Sequence, residues 1–199
     1  MDLIEELYTS NLFPTFLCPS ELFLDIVKIN HLRFIAAKTS PIDVCAISAA
    51  GELLDHIKSF QPEQWAVSHA SCQEDWLLIG RVYKFAVVLY CVLSLQSVSL
   101  IFWSIDLLDA QTMYADRLFL SLQQSIMSPY VKKAILWPLI VAGVAVADAR
   151  KFVAQQLSDM SRDLGTPLPL MANAVLGKFW SSGMTGWDDP FDRPYAFVV

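Results

Sequence analysis

The amino-acid sequence predicts an all-α fold, an irregular domain of six or seven helices that ends in an extended aromatic tail. Apolar residues recur every three or four positions in nearly every long segment, as they do on one face of a helix. No segment alternates apolar and polar residues in the manner of a half-buried strand. A chain of 199 residues suits one domain, so we expect a single helical domain over residues 1–199, irregular over 1–18, with its tail (184–199) docked on the body.

The first two helices follow start signals. Ser20 opens the first, and apolar residues then recur at helical spacing. The second begins at Ser40-Pro41, where serine can cap the helix, proline suits the first helical position and Asp43 can close a capping box. Pro62 is expected to end this second helix, because proline cannot donate a backbone hydrogen bond.

The third helix is expected to lie at the centre of the domain, because it is apolar on all sides. A capping box formed by Ser71 and Glu74 opens it, and it runs to about Leu95. Residues 85–105 carry no charge and are long enough to cross a membrane. Gln96 and several serines in the second half of that stretch favour the alternative, a buried helix that ends near Gln96 and is followed by a turn. A membrane span is therefore disfavoured.

The second half of the chain contains the remaining helices. One is expected over residues 112–127, and Ser128 begins another that Pro138 should bend, since an interior proline removes a donor and clashes with the preceding turn. An amphipathic helix then ends at Gly165, a residue that suits a left-handed C-cap. The last helix covers about residues 170–180.

Composition limits the classes of function. The net charge of −6 disfavours nucleic-acid binding by this chain, since that binding depends on clustered Lys and Arg. Apolar residues make up 55% and charged residues 17%, so part of the apolar surface is expected to stay exposed or be covered by a ligand. We expect a protein partner, self-association or a lipophilic small molecule, and residues 85–105 and the helix at Trp137-Pro138 as the main contributors to that surface.

Cysteine and histidine spacing gives no support for a metal site or any other cofactor. The four cysteines, well separated in sequence, match neither a structural zinc site nor a dense disulfide framework, and are expected to be buried free thiols. The three histidines have no second ligand at metal-binding spacing. Acidic residues at the N-terminus disfavour a secretory signal, which leaves the nucleus or cytoplasm as the location.

The tail contains an aspartate-rich segment whose spacing matches the metal motif of terpene synthases. Pro190 disfavours a helix there, and no second metal motif follows it. We therefore interpret the segment as a structural tail motif, in which carboxylates cap turns or pair with arginine and aromatic rings pack on the body. Its residues are Trp187, Asp188, Asp189, Asp192, Arg193 and Tyr195.

No residue can be named as catalytic, since neither a nucleophile elbow nor a glycine-rich phosphate loop is present. The many aromatic residues could line an apolar pocket or interface, although core packing is their commoner use. Candidates for the walls of such a pocket are Trp76, Tyr83, Trp103 and Trp137.

Several short segments follow one another in a characteristic order. They are ELF (21–23) with INHLR (29–33), Trp76 with YKFAVVLY (83–90), ILWPLIVAG (135–143), FW (179–180) and WDDPFDRPYAFV (187–198). In this order they resemble the later part of the fungal-specific transcription factor domain, which in its family follows a six-cysteine zinc-cluster DNA-binding module. The similarity extends over about residues 19–199. Pro190 departs from the family pattern, which tends to have cysteine there.

The resemblance implies a helical regulatory or interaction domain that binds an effector or partner and has no catalytic residues. The zinc cluster has no counterpart in these residues, so the resemblance implies no DNA binding by this chain. One alternative is a secondary-metabolism enzyme, a cyclase or isomerase that uses a repurposed apolar helical cavity. Such a reaction needs mainly a cavity and one placed acid or donor, so missing motifs do not exclude it.

Overall fold

The computed structural model describes residues 18–38, 43–69 and 71–191, and it confirms the all-α fold. No strand occurs in these ranges. They form eight α-helices and two short 3₁₀ turns, Val131–Lys133 and Ala147–Ala149. The α-helices are α1 (Ser20–Lys38), α2 (Val44–Ser59), α3 (Pro62–Val67), α4 (Gln73–Ser97), α5 (Ile105–Ser125), α6 (Leu136–Ala145), α7 (Arg150–Leu164) and α8 (Leu168–Ser182).

Helix α4 is the centre of the packing, as the sequence predicted. It contacts α1, α2, α3, α5 and α6, while α6 connects it to α7 and α8. Every side chain from residue 86 to 92 is buried. Its apolar character on all sides is therefore explained by neighbours on all sides.

In the described ranges, α4 is also the one helix long and apolar enough to cross a membrane by length and composition. Of its most apolar 18-residue window, 61% is buried against other helices. The helix ends at Ser97, and Ser99 adopts a left-handed conformation with φ of 59°. The uncharged stretch over residues 85–105 is thus a buried helix end followed by a turn.

Helix α3 accounts for the difference between eight helices and the six or seven expected. Pro62 was expected only to end the second helix, yet it also occupies the first position of α3. Proline is favoured there because its missing N–H would have no intrahelical partner and its φ is already helical. The six-residue length of α3 left little periodicity to detect.

Helix α5 begins at Ile105, seven residues before the expected start at residue 112. Ser104 is its N-cap, with the Ser104 hydroxyl accepting a hydrogen bond from the Leu107 N–H at 3.1 Å. The sequence did not indicate the first turn of α5, because the apolar side chains of Ile105 and Leu108 are exposed and lie outside the buried face of the helix.

Neither predicted capping box occurs as expected. Ser40 and Pro41 lie outside the described residues, but Asp43, expected inside the helix as the closing residue of the box, is itself the N-cap of α2 and accepts a hydrogen bond from the Cys45 N–H at 2.9 Å. The box at Ser71 and Glu74 is wrong. Cys72 is the N-cap of α4 instead, with a left-handed φ of 56° and no side-chain capping bond.

Pro138 does not bend a helix, which corrects the prediction. It is the third residue of α6, in the first turn, where backbone N–H groups have no intrahelical partner to lose. The same helix is not an exposed surface either. Trp137 is 8% exposed, and every residue from Trp137 to Gly143 is buried. This helix, expected to contribute to an open apolar surface, therefore belongs to the core.

Helices α6 and α8 approach closely at Gly143. The Trp180 Nε1–H donates to the Gly143 carbonyl oxygen at 2.7 Å. A Cβ placed on Gly143 would lie 2.7 Å from Leu176 Cδ1, so glycine permits this approach. Gly165 ends α7 with φ of 62°, as its predicted role as a left-handed cap requires.

Candidate functional site

The four aromatic residues proposed as pocket walls do not share one cavity. Tyr83 and Trp137 lie together, with nearly parallel rings whose centroids are 6.2 Å apart. The Tyr83 hydroxyl donates to the Ala134 carbonyl oxygen at 2.9 Å, and burial raises its pKa well above the ordinary value. This pair belongs to the core.

Trp76 and Trp103 lie elsewhere. Trp76 packs against Trp65 and His69, with its ring centroid 4.1 Å from that of His69, and it lines a small apolar cleft of about 270 Å³. Trp103 is 68% exposed, in the segment between α4 and α5. The sequence provided no signal to separate core tryptophans from surface ones.

The first part of the tail lies against the body through one tryptophan. Trp187 is 1% exposed, and its ring centroid is 4.8 Å from that of Tyr90 and 5.3 Å from that of Phe191. Tyr90 also contacts Trp137 edge to face. A continuous aromatic row thus runs from the tail into the core.

Two aspartates of the tail motif have defined partners. Asp188 accepts a hydrogen bond from the Ser97 hydroxyl at 2.6 Å and forms an ion pair with Arg33 of α1. Asp189 accepts a hydrogen bond from the Gly186 N–H at 2.6 Å and so closes a turn. Arg193, which the sequence suggested as a partner of these carboxylates, lies outside the described residues, as do Asp192 and Tyr195.

A second polar contact joins α1 to α2. Asp25 is fully buried. One of its carboxylate oxygens accepts a hydrogen bond from the Lys28 ammonium, and the other pairs with His56 Nδ1, each at 3.1 Å. A buried carboxylate needs such partners, since its desolvation would otherwise be costly. The contact satisfies the carboxylate inside the fold.

The cysteines differ from the expectation of four buried thiols. Cys45 and Cys72 are exposed, while Cys91 is buried and burial raises its pKa to about 12. Burial also raises the pKa of Cys18. In the described ranges, no group of three His, Cys, Asp or Glu side chains is placed to hold a metal ion.

A cleft of about 380 Å³ lies beside the tail and is here called the polar cleft. Three helices contribute a polar side chain: Gln96 from the last turn of α4, Gln111 from α5 and Arg150 from the start of α7. Phe179 and Trp187 form apolar walls. The exposed Trp103 also lines it.

Three residues that line this cleft each have a buried polar atom without a partner. In the described part of the chain, Gln96 Nε2, Gln111 Oε1 and Arg150 Nε are buried and make no hydrogen bond. In the sequence, Gln96 indicated only that a membrane span is disfavoured, and no pattern marked Gln111 or Arg150. Their convergence depends on helices distant in sequence, so no local pattern could have indicated it.

Two comparisons with known proteins found similarity over nearly the whole chain. The family model described as the fungal-specific transcription factor domain matches residues 3–188. The phomenoic acid biosynthesis cluster-specific transcriptional regulator of Leptosphaeria maculans is 39% identical over 203 residues, an alignment that covers 100% of this chain and 39% of that protein. The chain thus spans about two fifths of the relative's length. No solved structure matches. These matches give no support to the cyclase or isomerase alternative.

Proposed function

Because this chain belongs to the fungal-specific transcription factor domain family, we propose that it controls transcription of the genes of one secondary-metabolite cluster, acting in the nucleus. The regulatory role follows from family membership. The choice of target genes rests on the relative, which is named as a cluster-specific transcriptional regulator. The match to that relative over the whole chain is the observation that carries the proposal.

The proposed mechanism is the binding of a protein partner. Phe102, Trp103 and Ile105 are 61%, 68% and 80% exposed, and this exposed apolar segment between α4 and the start of α5 supports contact with a protein partner. The net charge of −6 supports assigning the contacts with DNA phosphates to other parts of the transcription machinery.

Gene deletion tests the proposal. We expect a strain without this gene to lose transcripts of the biosynthetic genes that neighbour it, under conditions in which the parent strain expresses them. Reintroducing the gene should restore those transcripts, and housekeeping transcripts provide the control. Unchanged neighbouring transcripts in the deletion strain would contradict a cluster-specific role. A fluorescent fusion of the protein at its own locus should accumulate in nuclei.

A further inference from the structure

We infer that the polar cleft binds a small carboxylic acid with an apolar body, held at its carboxylate by Arg150 and Gln96. Five buried side-chain polar atoms have no hydrogen-bond partner in the described ranges, and three of these belong to residues that line this one cleft. Most buried polar side-chain atoms in proteins have a partner. Three such atoms, brought from α4, α5 and α7 to one place, are the arrangement expected of a ligand site.

Arg150 determines the charge of the ligand. A guanidinium group has only donors, arranged in a planar fork that matches the two oxygens of a carboxylate. None of the ion pairs in the described part of the chain involves Arg150, and the nearest acid in sequence, Asp148, is exposed. An anionic group in the cleft would supply the missing partner.

The two glutamines refine this assignment. Gln96 Nε2 is a donor and can give a second hydrogen bond to the same carboxylate. Gln111 Oε1 is an acceptor, so it suits a hydroxyl or N–H donor elsewhere on the ligand. The site therefore favours an acid that also carries a donor group.

The walls determine the rest of the ligand. Leu93, Val144, Phe179 and Trp187 provide apolar surface, and a volume of about 380 Å³ lies within the range for small-molecule sites, roughly 300–1,000 Å³. A single arginine does not suit a phosphate backbone, whose binding needs many cations. An amphiphilic acid with a single charge matches both parts of the lining.

Binding there would affect the tail. Residues 184–187 form one wall, and Ser97, which also lines the cleft, donates to Asp188 in the tail. A ligand would touch helices and tail together and hold the tail in place. Any regulatory effect of this binding rests on the proposed function, whereas the binding itself does not. Gene deletion tests the proposed function and titration tests the cleft, so the failure of one can be distinguished from the failure of the other.

Titration of the 199-residue chain with decanoate tests the inference, with calorimetry and tryptophan fluorescence as readouts. We expect saturable binding of one decanoate per chain with a change in tryptophan emission, since Trp103 and Trp187 line the cleft. Decanol, which has the same body without the charge, should bind at least tenfold more weakly. Equal affinity for decanoate and decanol would show an apolar surface without a carboxylate site and would overturn the inference.

Matched variants locate the site. Arg150→Gln should weaken decanoate binding at least tenfold, while Arg162→Gln, on the same helix but exposed and paired with Asp159, should leave it unchanged. Gln111→Glu places a second anion in the cleft and should also weaken binding, whereas Gln123→Glu on the exposed part of α5 should not. Circular dichroism checks that each variant folds. If Arg150→Gln does not fold, the comparison of Gln111→Glu with Gln123→Glu tests the site. Absence of saturable binding to the wild-type chain, or equal affinity in the cleft and control variants, would refute the site.

Discussion

Trp187 carries much of the contact between the tail and the helical body. Its ring is 1% exposed and lies against Tyr90, in the aromatic row that leads to Trp137. We expect Trp187→Ala to lower the free energy of unfolding by about 3–5 kcal/mol, the usual cost of removing a buried aromatic side chain. Urea denaturation measures this change.

The control for this variant is Trp103→Ala, because Trp103 is 68% exposed. Its free energy of unfolding should stay within about 0.5 kcal/mol of the wild type, as for most surface substitutions. Equal effects of the two substitutions would show that the tail contributes little to the stability of the body.

The thiols should differ in reactivity according to burial. A raised pKa reduces the fraction of reactive thiolate at a given pH, so Cys91, with a pKa of about 12, should resist a thiol reagent at pH 8 until the protein unfolds. The exposed Cys45 and Cys72 should react quickly. Mass spectrometry of the labelled native protein identifies the sites, with Cys45→Ser and Cys72→Ser as controls. Fast native labelling of Cys91 would contradict the burial.

At the scale of elements, the sequence predicted the existence of helices better than their ends. The continuous apolar run of α4 indicated a central helix because its residues are buried on all sides, and Gly165 was recognised because a left-handed cap favours glycine. The box at Ser71 failed because Cys72 adopts a left-handed conformation, which no sequence pattern here indicated. The polar cleft was not predictable, since Gln96 and Arg150 meet only when α4, α6 and α7 have packed.

The contact between α6 and α8 gives a prediction with a matched control. Gly143→Ala places a methyl group 2.7 Å from Leu176 Cδ1, and the buried leucine has to move. We expect a loss of about 1–3 kcal/mol, typical of overpacking. Gly177→Ala, in α8 and with nothing within 4 Å of the added carbon, should instead stabilise the protein by up to about 1 kcal/mol. Thermal denaturation distinguishes the two, and equal shifts would contradict the close approach.

At the scale of the whole molecule, the exposed large apolar side chains are spread over helices and loops, and three of them, Phe102, Trp103 and Ile105, lie close together in sequence. The expected surface from residues 85–105 reduces largely to these three, because the α4 side chains from Ala86 to Leu95 are mostly buried. The excess of apolar residues in the composition is thus mostly core.

We expect this segment to promote association. At micromolar concentration the wild-type chain should scatter light as a species larger than 22.3 kDa, and the double variant Trp103→Ser, Ile105→Ser should approach that mass. Leu120→Ser with Met127→Ser, at exposed positions outside this segment, is the control and should associate like the wild type. A wild-type chain that is strictly monomeric would contradict the prediction.

The ion pair between Arg33 and Asp188 also bears on how the protein is made. These residues are 155 positions apart. At synthesis rates of about 5–20 residues per second, the ribosome needs roughly 8–30 s to proceed from one to the other. The contact between α1 and the tail cannot form before that interval has passed, and until then Trp187 does not cover its site on the helical body. Apolar surface exposed on a nascent chain favours aggregation, so the late arrival of this tryptophan is a risk during folding.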